Sequence, residues 1–506
     1  MPVGPSPFLA TVPVDPLWIL EGGALLHLLT VAFVTTHCLR RRREATSAIL
    51  WIFVSWSFPI VGPLLFLMFG INRVQTKGWR KRRSDVEFLT ARRAREHEAM
   101  PLAYWRTVRA AVAAEPEQEE WREVNTMMNA LAPDYPLLGQ NRIVPLVTGD
   151  EAFPQMLAAI ESAKHHIHLQ TFILGNDEVA RRILDALRRR AEAGVTVRVL
   201  YDRMGSTLAH LSGLLRAFRH VPNMRVIGWT QVSVLRHQFQ INLRNHRKVL
   251  VVDGRIAFTG GLNIASNNVS TPARPADRDY HFTLEGPIVQ ELQYAFLVDW
   301  YFMTDENPDH LLHEAHFPPV QPAGDARVRL LQGGPSSELD ALADSFFAVI
   351  MAAQHQIIAV TPYFVPPADL LRAFRVAALR GVDVRIVVPH ENNHVYAGLA
   401  GRALYEDLLI AGVRIFERQP PFLHGKAMLV DDRVALVGSA NLDVRSLRLN
   451  YETNLAVYDS RFANALKRIL LEDIAASTEV RLEEWNRRSH GARIAENFCN
   501  LLTPIL

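Results

Sequence analysis

Hydrophobic positions divide the chain into two regimes. Residues 48–71 form a run of 24 residues without a single charge. About 20 apolar residues cross a hydrocarbon core, so this run predicts a membrane segment, with Trp51, Trp56 and Phe58 as interfacial aromatics. Pro59 and Pro63 interrupt it, which leaves a kinked helix and a re-entrant loop both open. An earlier stretch, 17–39, is also apolar but carries Glu21, His27 and His37. Its cleaner part, 22–39, predicts a second membrane segment. No basic residue precedes it and Arg40, Arg41, Arg42 and Arg43 follow it, unlike a signal peptide. Past residue 135 the pattern changes. β-rich runs alternate with stripes of helical period, such as Val179, Ile183, Leu184 and Leu187. Strands alternating with helices predict an α/β architecture.

Composition adds limits. At 506 residues, 49% hydrophobic and 21% charged, the chain is a folded protein with room for more than one core. The net charge of +3 excludes little, but arginines crowd the first quarter. Cys38 and Cys499, at opposite ends, build neither a disulfide framework nor a thiolate metal site. Two basic clusters flank the second apolar run: Arg40 to Arg43 before it, and Arg73, Lys77, Arg80, Lys81, Arg82 and Arg83 after it. If both segments span, positive-inside cannot satisfy both clusters. The larger one adjoins the α/β part and places that part in the cytoplasm, and a shallow hairpin would remove the conflict. The stretch 73–135, rich in Arg, Glu and Ala, reads as a helical connector with a solvated face, its basic side attracted secondarily to anionic headgroups.

The rest of the chain repeats itself. Residues 245–263 read NHRKVLVVDGRIAFTGGLN and residues 423–441 read LHGKAMLVDDRVALVGSAN. His246 matches His424, Lys248 matches Lys426, Asp253 matches Asp431, Gly260 matches Gly438 and Asn263 matches Asn441, all at an offset of 178 residues. HHIHLQTFIL from His165 resembles HQIIAVTPYFV from His355, and AGVTVRVLYD from Ala193 resembles RGVDVRIVVP from Arg380. Two copies predict two similar domains about a pseudo-twofold axis, with a site at their seam. His-x-Lys on a strand puts both side chains on one face. Asp253-Gly254 signals a hairpin. A phosphodiester suits two His, two Lys and two Asn: Lys248, Lys426, Asn263 and Asn441 can neutralise and bind its oxygens, while one imidazole attacks phosphorus and the other handles the proton. The lysines carry the charge, so no metal and no cofactor is expected. Asp253 and Asp431 are either part of the catalytic set or hairpin acids. His165, His166 and His168 cluster without HExxH or paired CxxC, which favours packing over metal binding.

Both copies fit the His-x-Lys-x4-Asp pattern, followed by Gly-Gly or Gly-Ser and x-Asn, of the phospholipase D superfamily. The chain resembles its bacterial cardiolipin synthases over nearly its whole length: the N-terminal segments, INLRNHRK, TPYFVP at 361–366, LLIAGVRIFE and NLDVRSLRLNYETNLAV. The resemblance implies two tandem phospholipase D-like α/β sandwich domains, 136–320 and 321–506, after a membrane hairpin (1–72, segments about 17–39 and 48–71) and the connector 73–135. It implies His246 as nucleophile, His424 as acid/base, and Asp279 and Glu452 as the acids that orient the histidines. It implies a multi-pass enzyme of the bacterial cytoplasmic membrane that joins two phosphatidylglycerols into cardiolipin and releases glycerol, some relatives using phosphatidylethanolamine as donor. Its partners would be anionic phospholipids and the membrane, not nucleic acid, and no oligomer interface is specified. Hydrolysis and, more remotely, a lipid-binding scaffold remain alternatives. IASNNVS after Asn263, and Asn393 in PHENNHVY, depart from the family pattern and bear on acceptor choice.

Overall fold

The computed structural model describes residues 16–40, 45–67, 81–88, 100–112, 119–218, 220–229, 244–335 and 340–503. The chain divides into two compact units, Met1–Thr76 and Lys77–Leu506.

In the first unit a helix spans Pro16–Arg40, a second spans Ala45–Ser57 and a short one spans Val61–Leu65. At 1.5 Å per residue the first is roughly 37 Å long, enough for a hydrocarbon core of about 30 Å. Its stretch Gly22–Arg40 is the one helix among the described residues long and apolar enough to cross a membrane. The run 48–71 departs from a straight span. Pro59 has no N–H to continue the helix, Ile60 turns to φ 67°, and the chain restarts at Val61. Gly62 passes so close to the preceding helix that a Cβ would lie 2.3 Å from the Val54 carbonyl. Val34, Cys38 and Phe66 form a small core with Trp51 and Ile52 packed against it. Of the basic clusters, Arg41, Arg42, Arg43, Arg73, Lys77 and Arg80 lie outside the described residues.

The second unit is built on strands β1 (Leu138–Val147), β2 (His166–Thr171), β3 (Thr196–Asp202), β4 (Met224–Trp229), β5 (Val249–Val252), β6 (Ile256–Gly260) and β7 (Tyr280–Glu285), then β8 (Ala326–Gly333), β9 (Gln356–Val360), β10 (Phe364–Val365), β11 (Asp383–Pro389), β12 (Arg414–Arg418), β13 (Ala427–Val430), β14 (Val434–Gly438), β15 (Leu442–Asp443), β16 (Glu452–Tyr458) and β17 (Ser477–Val480). Fifteen of them form one sheet, in the order β17-β12-β11-β9-β13-β14-β16-β8-β1-β7-β6-β5-β2-β3-β4. Read outward from the β1–β8 pair, the two halves have the same order as far as β4 and β12, as the repeat predicts, and β17 adds one edge strand to the second half. The two α/β halves are joined edge to edge, where β1 and β8 pair antiparallel. Mutual pairing covers two edges that would otherwise expose unpaired N–H and C=O groups.

Helices cover the sheet. In Glu178–Glu192 the predicted stripe is realised, with Ile183, Leu184 and Leu187 buried and the Asp177 carboxylate capping the Ala180 N–H at 3.0 Å. One core cluster joins the halves, with Phe282 and Leu284 from the first and Leu330, Leu429 and Leu455 from the second. The described part of the connector is helical, with one face solvated and the other docked on the α/β unit. Leu102–Ala111 buries Tyr104 against Tyr294 and Phe317. Glu119–Leu131 buries Trp121, Val124 and Met128 in the core of the second half. Lys81, 2% exposed, reaches Asp299 at 3.0 Å inside the protein. Amphipathic spacing on these helices outweighs their charged composition, because a buried aromatic face stabilises docking more than exposed charges resist it.

Candidate active site

The two motif loops are held by each other's half. The His246 N–H donates to the Tyr451 carbonyl (2.9 Å), and Tyr451 N–H donates back to Arg244 (2.9 Å). Symmetrically, the His424 N–H donates to the Arg278 carbonyl (2.7 Å), and Arg278 N–H donates to Phe422 (2.8 Å). Tyr451 and Arg278 each precede one of the two sequence-flagged acids, so the pairing crosses the seam. His246 Nδ1 meets Glu452 at 3.0 Å, and His424 Nδ1 meets Asp279 Oδ2 at 2.6 Å. With Nδ1–H donated to a carboxylate, each imidazole has its Nε2 left for chemistry, as a lone pair for attack or, when protonated, as a proton donor.

Packing fixes the His246 ring. Phe172 stands edge-on to His246 at 4.7 Å between centroids and also lies under the Lys248 ammonium at 5.3 Å. Lys248 donates to the His246 carbonyl at 2.7 Å, and Lys426 donates to the His424 carbonyl. Lys426 also approaches His424 Nδ1 at 3.1 Å. That atom already donates to Asp279, so the contact is electrostatic. The residue between His and Lys differs in the two halves. Arg247 turns away to Asp299, at 2.5 Å, whereas Gly425 lies under the Tyr280 ring, where a Cβ would come within 2.3 Å. Asp299 and Asp473 play matching parts on the helices Ile288–Thr304 and Ser460–Ala475. Asp299 takes Arg247, Gln170 and Lys81; Asp473 takes Arg278, Arg418 and the Tyr280 hydroxyl. Phe172, Asp299, Asp473 and Tyr280 were not flagged from sequence. Phe172 falls inside the repeated HHIHLQTFIL segment, a signal that could have found it.

Burial dominates the electrostatics. It lowers His246 well below the usual imidazole range, with Lys248, Lys426 and His424 adding repulsion. It lowers His424 too, Lys426 adding and Asp279 opposing. Burial pushes the Lys248 ammonium down to about 7 and Lys426 to about 8. The two acids diverge. Glu452 is pushed up to about 7 by burial, against Lys248 and its hydrogen bonds, including one from Ser439 at 2.5 Å. Burial would raise Asp279 as well, but Lys426 and His424 outweigh it and hold its carboxyl below the usual range. A side chain at Gly261 cannot supply the hydroxyl that Ser439 gives Glu452, since a Cβ there would fall 2.1 Å from the Asp279 carboxylate. The lysines are cations confined without full compensation, a setting that favours an incoming phosphate anion.

Asp253 and Asp431 are not brought to the imidazoles. Each sits at φ near 50° in the turn after its strand. The Asp253 carboxylate accepts from the Lys164, His165 and His166 amides at 2.8, 2.8 and 2.9 Å. The Asp431 carboxylate accepts from Gln354, His355 and Gln356, each at 2.8 Å. At about 3.3 Å per residue, Asp253 lies roughly 16 Å along β5 from Lys248. The geometry is that of the hairpin acid, not of the catalytic set. Asn263 accepts from the Ile173 N–H at 3.2 Å, and Asn441 donates to Ser446 at 3.2 Å, so both asparagines also brace the loops around the histidines. The other histidine cluster is separate from the His246 and His424 rings: His166 and His168 pack with His316, and Arg198 reaches His168 and His316 at 3.2 Å each.

A family model described as "Cardiolipin synthase, PLD-like domain" matches residues 156–300 and 346–474, and a "Phospholipase D-nuclease N-terminal" model matches 28–70. The chain is 34% identical to the cardiolipin synthase of Geobacillus kaustophilus, over 94% of this chain and 92% of the relative. It is 31% identical to the major cardiolipin synthase of Bacillus subtilis, over 96% and 98%. Among solved structures, a phosphatidylserine synthase of Haemophilus influenzae superposes with a TM-score of 0.58 over 76% of this chain and all of that one; at 17% identity this bears on the fold alone. The duplicated motif, the duplicated half-sheet and the full-length similarity lead to one conclusion: the chain belongs to the cardiolipin synthase family of phospholipase D-like proteins.

Proposed function

We propose that the protein is a cardiolipin synthase that transfers a phosphatidyl group between two phosphatidylglycerol molecules through a phosphohistidine. The observation that carries this reading is the crossed pair of acid-bound imidazoles beside two buried lysines. His246 Nε2 attacks the phosphorus of the first phosphatidylglycerol. The bond from phosphorus to the headgroup glycerol oxygen breaks, and His424 gives that oxygen its proton. The headgroup of a second phosphatidylglycerol then yields a hydroxyl proton to His424, its oxygen attacks phosphorus, and the phosphorus–nitrogen bond breaks. Lys248 and Lys426, with the Asn263 and Asn441 amides, stabilise charge on the non-bridging oxygens. Glu452 and Asp279 hold the two ring orientations, and Asp253 and Asp431 hold the hairpins. No step requires a metal. The two repeats, 136–320 and 321–506, contribute one histidine each.

The test uses purified full-length protein with phosphatidylglycerol alone, products followed by mass spectrometry beside His424→Ala. Cardiolipin and glycerol, absent in the variant, are expected. Phosphatidic acid as sole product would replace transfer by hydrolysis. EDTA should leave the rate unchanged, and inhibition reversed by one metal would refute the metal-free step.

We further infer that Pro16–Arg40 anchors the protein in the bacterial cytoplasmic membrane, with the segment broken at Pro59 as a second membrane element and the α/β unit on the cytoplasmic side. The supports are the exposed apolar surface of the first unit and the basic cluster at 73–83. Protease added to intact cells should spare the α/β unit, and cleavage there would reverse the orientation.

A further inference from the structure

Strand registers give the sheet a catalytic end. Lys248 precedes β5, whose Val249 faces Gln170 near the C-terminal end of β2, and β2 runs parallel to β3. Lys426 precedes β13, whose Ala427 faces Val360 at the C-terminal end of β9, and β9 runs parallel to β11. The histidine–lysine pairs therefore lie at the end where β3 and β11 finish. The chain leaving those equivalent strands forms the helices Thr207–Leu211 and Val395–Arg402. Both show large apolar side chains to solvent: Leu208 is 75% and Leu211 74% exposed, Val395 69%, with Tyr396 beside it. The C-terminal helix His490–Leu501 lies next to the second of these, tied by Arg402 to Glu496 at 3.3 Å. It buries Glu496 and presents Ile494 (70%) and Phe498 (61%), four residues apart on one face.

Single exposed apolar residues are ordinary on any surface. Here Leu208 and Leu211 after β3 are matched by Val395 and Tyr396 after β11, at the catalytic end of both halves. An aromatic path leads inward from them: Tyr396 to His394 at 5.6 Å, His394 to Tyr363 at 5.5 Å. Tyr363 is two residues from Thr361, whose hydroxyl accepts the N–H of Leu442, next to Asn441. Arg244 and Arg445 are close enough at this mouth to feel each other's charge, which anionic headgroups would relieve.

We propose that Leu208, Leu211, Val395, Tyr396, Ile494 and Phe498 form an interfacial rim that seats the catalytic end of the sheet on an anionic bilayer, so that lipid enters the site from the membrane. The proposal rests on the phosphatidyl-transfer reading only for the identity of that lipid. An apolar face inserted to headgroup depth, with cations beside it, is the recognised chemistry of interfacial binding.

The test has two arms. Full-length protein with Cys38→Ala and Cys499→Ala is labelled with an environment-sensitive dye at Leu208→Cys, Ile494→Cys or Leu379→Cys, and mixed with phosphatidylglycerol vesicles carrying acyl-chain nitroxides. Leu379 is 70% exposed but precedes β11, at the opposite end of the sheet. Quenching at 208 and 494 but not at 379 is expected. No quenching at 208 and 494, equal quenching at all three, or self-quenching between labelled copies would overturn the proposal, the last in favour of a protein–protein face. In the second arm, Ile494→Gln/Phe498→Gln should lower the rate on vesicles about tenfold or more while leaving the rate on monomeric short-chain phosphatidylglycerol near wild type. Equal loss on both substrates, or none on vesicles, counts against the rim. If wild type does not act on phosphatidylglycerol in either form, the functional reading fails, and the quenching arm still decides the rim.

Discussion

Asp253→Asn separates a turn acid from a catalytic one. Asparagine tolerates the left-handed backbone at this position, φ 51°, so the substitution changes only the side chain. One carboxylate oxygen serves the His165 and His166 amides and the other serves Lys164. The carboxamide keeps an oxygen for the first two and turns an NH2 group toward the third. Leaving one amide donor without its acceptor costs about 1 kcal/mol at the low end of the usual range, which applies because Lys164 is exposed and water takes over. Losing charge assistance on the other two costs about another 1–2 kcal/mol. The sum, about 2–3 kcal/mol, corresponds to about 2–3 °C in the melting temperature of a cooperative unit as large as Lys77–Leu506. The assay is a thermal melt of the purified full-length variant, paired with cardiolipin formation per folded molecule. Lower melting with near-normal turnover is expected, and Asp431→Asn should behave alike. Unchanged melting with lost turnover would refute the reasoning and return Asp253 to the catalytic set.

Glu452→Gln keeps the side-chain volume but cannot hold the His246 imidazolium; kcat should fall about 10²–10⁴-fold, and the imidazole NMR signals of His246, in the other half of the chain, should move more than those of His424. The reverse shift would show that the acids serve their own halves. The lysines must be charged to bind phosphate, and burial sets them at about 7 and about 8. The value of kcat/KM should therefore fall as pH rises through that window, and a profile flat to about pH 9 would contradict the role given to Lys248 and Lys426. Acid should destabilise the fold through the buried histidine cluster. Burial and Arg198 hold His316 at about 4, so between about 4 and 6.5 the unfolded chain binds the proton and the folded one does not. Stability present above that window is lost as pH falls through it, by about 3 kcal/mol at pH 4 from His316 alone, with His166 and His168 acting in the same direction. Denaturant midpoints of His316→Gln should depend less on pH than those of wild type, and parallel curves would rule the cluster out.

The sequence by itself determined what repeats and what is local. An offset of 178 residues carried over His246 and His424, Lys248 and Lys426, and Asp253 and Asp431, and it implied a duplicated half-sheet. Helical spacing located the Glu178–Glu192 stripe, and Pro59 marked the interruption in the apolar run, because caps, stripes and prolines act within a few residues. Tertiary structure decided the rest. Nothing local says that Glu452 serves a histidine 206 residues away, or that Asp279 crosses the other way; the β1–β8 seam and the exchanged backbone bonds of Tyr451 and Arg278 bring them together. Asp253 could be read either as turn or as chemistry until the three amides converging on it were visible. Lys81, in an arginine-rich stretch, reads as a surface charge, yet Asp299 holds it inside the protein. Charge pattern reports what a residue can bind, and only the packed chain supplies the partner, because the free energy of burying a charge depends on which group meets it.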